Sequence, residues 1–265
     1  MRLVLASNNA KKLAELSTLL APLALDIVAQ GALGVDEAEE PHHTFIENAL
    51  AKARHAASHT GCAAIADDSG LCVAALGGAP GVASAHYAAL GDTPGAATMH
   101  LAALGGTPDA ATMHLAALGG APAATMHLAA LDGEPGAAST HSAAIAAAAG
   151  DDRESRRRAQ DAANNARLLR ALEGVRERQA RYVSVLVALR MAGDPEPLVA
   201  VGRWEGEVLD APRGNGGFGY DPLVFIPALG RSVAELDAAT KNAHSHRALA
   251  AARMLALMRE AWRLG

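Results

Sequence analysis

The sequence predicts an α/β fold, a mixed central sheet flanked by helices, and three observations carry that prediction. Residues 2–6 are a short apolar run followed by a polar turn and an amphipathic stretch, the order of an α/β unit. Two Val- and Leu-rich runs, 182–189 and 198–208, are separated by Gly193-Asp194-Pro195, the pattern of an antiparallel hairpin. A long helical stretch, residues 244–263, closes the chain.

The elements follow in order. After the strand at 2–6 and the turn at 7–10, Leu13, Leu16 and Leu20 share one face of a helix over 11–20. Residues 25–28 are a second strand. Thr44 and Glu47 form a capping box, each side chain able to satisfy a free amide at the start of a helix that reaches about Ser58. A third strand over 63–66 ends in Asp67-Asp68-Ser69-Gly70. Beyond the hairpin come a Gly-rich loop at 213–221, a strand at 222–226 and a second capping box made by Ser232 and Glu235.

Composition narrows the function classes. The 265 residues are 51% apolar but only 3% aromatic, so the core is built from Leu, Val, Ile and Ala. A net charge of -5 argues against a general nucleic-acid surface and leaves room for a small basic pocket. Cys62 and Cys72 read as buried thiols in a reducing compartment. Polar Ser7-Asn8-Asn9 follows the first apolar run too soon for a signal peptide, and no apolar run reaches about 18 residues. The expectation is a cytoplasmic protein with no membrane span.

The middle of the chain repeats. Leu76-Gly77-Gly78-Ala79-Pro80 leads to His86, and related units lead to His100, His114, His127 and His141, with a period of about 14 residues that slips once. Solenoid units are about 20 residues or longer, so tandem duplication of one segment is the better account. Evenly copied histidines between Gly-Pro breaks have no scaffold to converge them, which argues against a metal site. The segment is expected to be a loosely helical excursion without a core of its own, because Ala-rich units offer little apolar area against the entropy of ordering.

Three polar clusters stand where strands should end, the usual place for ligands in α/β proteins. Ser7, Asn8, Asn9, Ala10, Lys11 and Lys12, with Glu15, put free amides, a helix dipole and lysines where a phosphate could bind, although a capped helix start looks the same. Glu39-Glu40 and Asp67-Asp68 followed by Ser69 suit a hard cation such as magnesium, whose usual ligands are one or two carboxylates plus substrate phosphates. Gly214-Asn215-Gly216-Gly217-Phe218-Gly219-Tyr220-Asp221 lets a backbone approach a ligand closely and offers rings for stacking. Lys241 and Ser245-His246-Arg247 add a basic set.

Together these motifs, in this order, resemble the bacterial inosine/xanthosine triphosphate pyrophosphatase family. The resemblance covers residues 1 to about 88 and about 161 to 263, resuming at Asp161-Ala162-Ala163-Asn164-Asn165. It implies one elongated domain over residues 1–265, with two lobes and an active-site cleft, and a tandem-repeat insertion at 90–157. It further implies a homodimer, a purine nucleoside triphosphate substrate and magnesium. Asp68 would activate water and bind the metal with Glu40. Ser7, Asn8, Asn9, Ala10, Lys11 and Lys12 would hold the triphosphate, assisted by Ser69. Phe218, Gly219, Tyr220 and Asp221 would stack on and position the nucleoside, and Lys241, His246 and Arg247 would read the base. Water would attack the α-phosphorus, releasing pyrophosphate.

Two positions depart from the family pattern. His86 stands where the family has Arg, and Pro41-His42-His43 follow Glu40 where it usually has Thr-Gly and one further residue. A catalytically weakened nucleotide-binding protein is the second reading. A third, a pyrophosphatase of pyrimidine or methylated nucleotides, is opposed by the Phe218–Pro222 and Ser245-His246-Arg247 motifs.

Overall fold

The structure, a computed structural model, describes residues 1–90 and 137–264, with side chains from residue 154 onward in the second part. Most of the expected insertion, including His100, His114 and His127, lies outside the described residues. The elements are β1 (Arg2–Leu5), α1 (Ala10–Leu20), β2 (Asp26–Ala29), α2 (Phe45–Thr60), β3 (Ala63–Val73) and α3 (Ala137–Ala171). They continue with β4 (Gln179–Leu189), β5 (Leu198–Val208), β6 (Val224–Ile226), β7 (Arg231–Ser232), α4 (Ala238–His244) and α5 (His246–Ala261).

Among the described residues the strands form one seven-stranded sheet in the order β2-β1-β3-β4-β5-β6-β7. β1 pairs in parallel with β2 and β3, and every pairing from β3 to β7 is antiparallel. The sheet is therefore mixed, as predicted, with the hairpin of β4 and β5 at its centre.

Four local expectations are corrected. β3 does not stop at Ala66 but runs on to Val73, so Asp67, Asp68 and Ser69 lie inside a strand. Its pairing explains this: β1 accompanies it only as far as Ile65, whereas β4 accompanies it from Ala64 to Val73. The closing helix forms over 246–261, but Lys241, read as part of the basic set at its start, is not on it. Ser245 is extended, with φ -64 and ψ 159, and its side chain caps α5 by accepting from the Ala248 amide, so Lys241 sits on the separate α4. At Thr44 the hydroxyl accepts from the Glu47 amide, but the Glu47 carboxylate accepts from that same hydroxyl and not from a backbone amide. Cys62 and Cys72 are free and half-buried, Cys62 in the bend before β3 and Cys72 near the end of that strand, each packed at the edge of the cluster beneath α2.

The expected insertion boundary at residue 157 falls inside α3. The two segments expected to be neighbours do meet. The Ala88 amide donates to Asn164 Oδ1 at 2.8 Å, Asn164 Nδ2 donates to the Ala85 carbonyl at 3.0 Å, and Arg167 reaches the Tyr87 carbonyl.

Side-chain alternation along the strands divides the core. On one face, Leu3, Leu5, Ala63 and Ile65 pack with α1 and α5 through Leu16, Leu20, Met254 and Met258. On the other, Val4, Ala64, Ala66, Val183 and Val185 pack against Ala49, Ala53 and Ala56 of α2. A third cluster joins Leu71, Val73, Tyr182 and Trp204 to Leu168 and Leu172 of α3 and to Tyr220. It occupies the same face as the first. Residues 63, 65, 67, 69, 71 and 73 of β3 thus read apolar, apolar, Asp, Ser, apolar, apolar. β4 repeats the pattern, with Ser184 between Tyr182 and Leu186 and paired across the ladder with Ser69. A polar stripe crosses the sheet between two apolar lobes, and this is the floor of the cleft. It ends on β5 at Gly202, where a Cβ would come within 1.9 Å of the His246 carbonyl oxygen. Only glycine lets the start of α5 settle there.

Candidate functional site

β1 ends at Leu5 while β3 continues, and the space where β1 would have gone on is a cavity of about 320 Å³. Its walls come from the turn after β1 (Ser7, Asn9), α1 (Lys11, Lys12), Glu40, Lys52 of α2, Asp67, His86, the helix α3 and Phe218. The carboxyl end of a parallel strand is the position where α/β sheets place ligands. The turn is prepared locally: Ser7 Oγ accepts from the Asn9 amide, and Asn9 Oδ1 caps α1 by accepting from the amides of Lys11 and Lys12. Of the expected phosphate-binding set, Asn8 and Ala10 face a shallower outer hollow, not the cavity itself.

Because neighbouring strand residues point to opposite faces, Asp67 and Asp68 meet different partners. Asp67 turns toward α1 and α5. It accepts from Ser184 Oγ at 2.6 Å and Ser69 Oγ at 2.9 Å, and pairs with Lys12 Nζ at 3.0 Å and Arg247 Nη2 at 3.2 Å. Burial pushes its carboxyl up, but Arg247, Lys12 and the Ser184 hydroxyl outweigh burial and hold it well below the usual carboxylate range. Arg247 is 1% exposed and bridges onward to Glu15, and Glu15 also pairs with Lys241 Nζ at 3.3 Å. Asp67 is a fixed anion, an anchor for two cations.

Asp68 turns toward α2. Lys52 Nζ donates to its Oδ1 at 2.9 Å and lies 3.2 Å from Glu40 Oε1, so the ammonium is clasped between two carboxylates. Burial opposes the charge on Lys52, yet Asp68 and Glu40 more than offset it and raise its pKa. For Asp68 the balance goes the other way. Burial, joined by Glu40 and opposed by Lys52, raises its carboxyl to about 6. Its second oxygen, Oδ2, is buried with no hydrogen-bond partner among the described residues. One acid is fixed in charge, and its neighbour is poised near neutrality with a free oxygen. Poised carboxyls of this kind serve general-base chemistry.

The Gly-rich segment delivers one ring to the cavity, not two. Phe218 is half-buried on the wall, with Lys241 Nζ 4.3 Å and Lys11 Nζ 5.8 Å from its centroid. Tyr220 belongs to the core, its hydroxyl donating to the Ser84 carbonyl at 2.9 Å. The expectation that both rings face a ligand is corrected by the tight turn between them. Gly217 has φ +73, and a Cβ there would lie 2.1 Å from Asp221 Oδ2. Asp221 holds that turn by accepting from the Phe218 amide at 2.9 Å, and it also takes Lys241 Nζ at 2.9 Å and Tyr182 Oη at 3.0 Å. The Gly219 amide donates to Asp161 of α3 at 2.8 Å. His246 is buried and stacked on Tyr182, with centroids 4.8 Å apart, and has Nδ1 unpartnered. Burial, with help from Arg247, holds it well below the usual imidazole range, so it stays neutral.

Ser7, Asn9, Lys11, Lys12, Glu40 and Phe218 therefore line one cavity; Asp68 is buried behind that wall beside Lys52 and Glu40, and Ser69, Asp221, Lys241, His246 and Arg247 stand behind it as supports. Sequence reasoning passed over Lys52, and it placed Glu15 and Asp67 in polar clusters without seeing their pairing with Arg247. Lys52 carried a visible signal: with Asn48 it falls in the buried stripe of α2 otherwise held by Ala49, Ala53, Ala56 and Ala57. A lysine there needs acids to meet it.

The carboxylates offer hard oxygen ligands, and Asp68 Oδ2 is a buried acceptor with no hydrogen-bond partner among the described residues. Among the described residues no three His, Cys, Asp or Glu side chains converge as a complete metal cage, so a cation here would take its remaining ligands from water and substrate. No described helix is long and apolar enough to cross a membrane.

The chain is 55% identical over 262 residues to a dITP/XTP pyrophosphatase of Methylibium petroleiphilum, covering 99% of each. It is 56% identical over 264 residues to the dITP/XTP pyrophosphatase of Leptothrix cholodnii, covering 100% of each. Among solved structures it is similar to a HAM1 protein from Coxiella burnetii, with TM-score 0.68, 34% identity, and coverage of 98% of this chain and 99% of that one. The Staphylococcus aureus Ham1 protein superposes with TM-score 0.65 at 26% identity, covering 98% of this chain and 100% of that one. The Ham1 family model matches residues 3–126 and 124–257, and the chain belongs to the Ham1 family.

Proposed function

We propose that this protein hydrolyses non-standard purine nucleoside triphosphates, those of inosine, deoxyinosine and xanthosine, to the monophosphate and pyrophosphate, and so cleanses the nucleotide pool. It is a nucleoside-triphosphate pyrophosphatase, as its relatives from Methylibium and Leptothrix are named. The observation that carries the reading within the site is the pair of acids on β3. Asp67 anchors Lys12 and Arg247, while Asp68, near 6 and with Oδ2 free, stands across the strand beside Lys52 and Glu40.

The residues divide the work. The start of α1, with Lys11 and Lys12, binds the phosphates through amides, dipole and charge. Phe218 stacks on the base, and Lys241 and the neutral His246 behind it set the polarity of the pocket. Asp68 takes a proton from water as the water oxygen bonds to the α-phosphorus. The α–β bridging P–O bond breaks, and pyrophosphate leaves with the electron pair. Lys12 and Lys52 offset charge that builds on the phosphoryl oxygens. Magnesium fits Asp68 and Glu40 as a hard cation completed by water and phosphate oxygens, and when bound it supplies charge neutralisation. A site that donates to a 6-carbonyl leaves that donor unpaired against a 6-amino group, which favours inosine and xanthosine over adenosine.

The same reading takes residues 1–265 as one domain interrupted by the repeats at 90–157. It includes assembly as a homodimer, drawn from the resemblance, and a cytoplasmic location, drawn from the composition, the two open to light scattering and cell fractionation.

The test is pyrophosphate release from a panel of triphosphates with and without magnesium. Release from inosine and xanthosine triphosphate well above that from ATP and GTP is expected. Orthophosphate as the direct product, or equal rates on ATP, overturns the reading.

A further inference from the structure

The helix α3 turns one charged face to the cavity. Glu154, Arg157, Arg158 and Asp161 follow the i, i+3, i+4, i+7 spacing of a single helical stripe, and all four line the wall. Most of the charge around this cavity is already paired. Glu154 takes Lys11 Nζ at 3.0 Å and Arg158 Nε at 3.3 Å, and Asp161 takes the Gly219 amide. Lys12 is held by Asp67, and Lys52 by Asp68 and Glu40. Of the lysines and arginines on the wall, Arg157 alone has no ion pair or hydrogen bond among the described residues, and it is exposed.

Its place is informative. Arg157 lines both the cavity and the outer hollow that it shares with Asn8 and Ala10. It therefore stands beside the N-terminus of α1, where amides and dipole already favour an anion. A guanidinium presents a planar fork of donors that matches phosphate oxygens. A ligand with its α-phosphorus near Asp68 and its phosphates running out along the start of α1 would bring its outermost phosphates to this residue.

We propose that Arg157 is a substrate-binding residue that grips the β- and γ-phosphates, the part that leaves as pyrophosphate. The proposal rests on the reading of the cavity as a triphosphate site. It gives α3, whose first part lies within 90–157, a direct part in recognition.

The test is calorimetric binding, with magnesium present, of inorganic pyrophosphate, inosine monophosphate and an α,β-methylene analogue of inosine triphosphate. The proteins are the full chain and its Arg157→Gln, Arg157→Lys and Arg170→Gln variants. Arg170 is an exposed arginine of the same helix outside the cavity, and it controls for bulk charge. Arg157→Gln should weaken pyrophosphate and the triphosphate analogue about tenfold, the size of a charge-assisted contact, and leave the monophosphate unchanged. Arg157→Lys should fall between, and Arg170→Gln should match the parent. Unchanged pyrophosphate binding in Arg157→Gln, or an equal loss for the monophosphate, overturns the proposal. If the parent chain itself neither binds the analogue nor releases pyrophosphate from inosine triphosphate, the underlying functional reading has failed instead.

Discussion

Replacing Arg247 by Met should both weaken the fold and change how its stability responds to pH. The guanidinium is 1% exposed and joins Glu15 to Asp67 and Ser69 across the cleft floor. Met fills much of its volume but leaves two carboxylates with one cation each, Lys12 for Asp67 and Lys241 for Glu15. Removing one partner of a buried ion pair costs about 3–5 kcal/mol, and the surviving lysines keep the loss within that range. For a chain of this size that corresponds to a fall in Tm of about 10 °C.

The pH dependence separates this account from a simple packing defect. In the parent protein Asp67 is held well below its ordinary value, so its contribution is fully present above the unfolded pKa and is lost only as pH falls through the depressed folded one. Without Arg247 the largest opposing influence on burial is gone, and the carboxyl rises. The folded variant then takes up a proton at a pH where the unfolded chain does not, so its deficit relative to the parent shrinks on acidification. The recovery is about 1.4 kcal/mol for each unit by which the carboxyl rises. Urea unfolding of both proteins at pH 8 and pH 5 measures the difference; the contribution of Asp68 largely cancels, while His246, which Arg247 also helps hold down, rises with Asp67 and adds to the recovery. A deficit below about 1 kcal/mol, or one that stays constant with pH, would refute the reasoning.

Asp68→Asn should lower turnover about 100-fold or more while leaving the Tm within a few degrees, since the amide keeps the shape but cannot accept the proton; near-normal turnover would move the base to another acid. Lys52→Gln removes the cation that holds the Asp68 carboxyl down against burial and Glu40, so the acid limb of kcat/KM should shift upward from about 6, and an unmoved limb would show that Lys52 does not tune the base. Replacing residues 91–136 by a short Gly-Ser linker should preserve folding and pyrophosphate release, because closing a longer or shorter loop changes the entropy only slowly; a chain that no longer folds would make the repeats structural.

Much of the frame was legible because local rules and tertiary packing agree. β1, α1, β4 and β5 announce themselves by apolar periodicity, and the Ser232/Glu235 box forms as read, opening a short turn of helix at Val233–Glu235. The misreadings share a cause. A run of Asp-Asp-Ser-Gly looks like a strand end when each residue is judged by propensity, and only alternate positions reveal that the strand continues, with Leu71 and Val73 rejoining the register of Ala63 and Ile65. Tyr220 and Phe218 look equivalent in sequence, and the turn at Gly217 and Gly219 separates them into core and cavity. The pairing of Glu15 with Arg247 joins residues 232 apart in the chain, which no local pattern reports.

The placement of the acids within the strand has its own chemical logic. Two adjacent carboxylates in a loop would share solvent and repel each other, and both would titrate near their ordinary values. On β3 the pleat sends them to opposite faces, and each is desolvated against a different set of helices. The face of α1 and α5 supplies two cations and two hydroxyls, enough to keep Asp67 ionised despite complete burial. The face of α2 supplies one cation, and that cation is shared with Glu40, so burial wins and Asp68 rises. The difference between a structural anion and a proton acceptor therefore comes from how many charges each helix layer brings to a sheet that has lost β1 at that level. Burying both acids is tolerable because their cost is divided between two layers, and the gap left by β1 puts Asp67 in the wall of the cavity, with Lys52 and Glu40, the partners of Asp68, on the same wall.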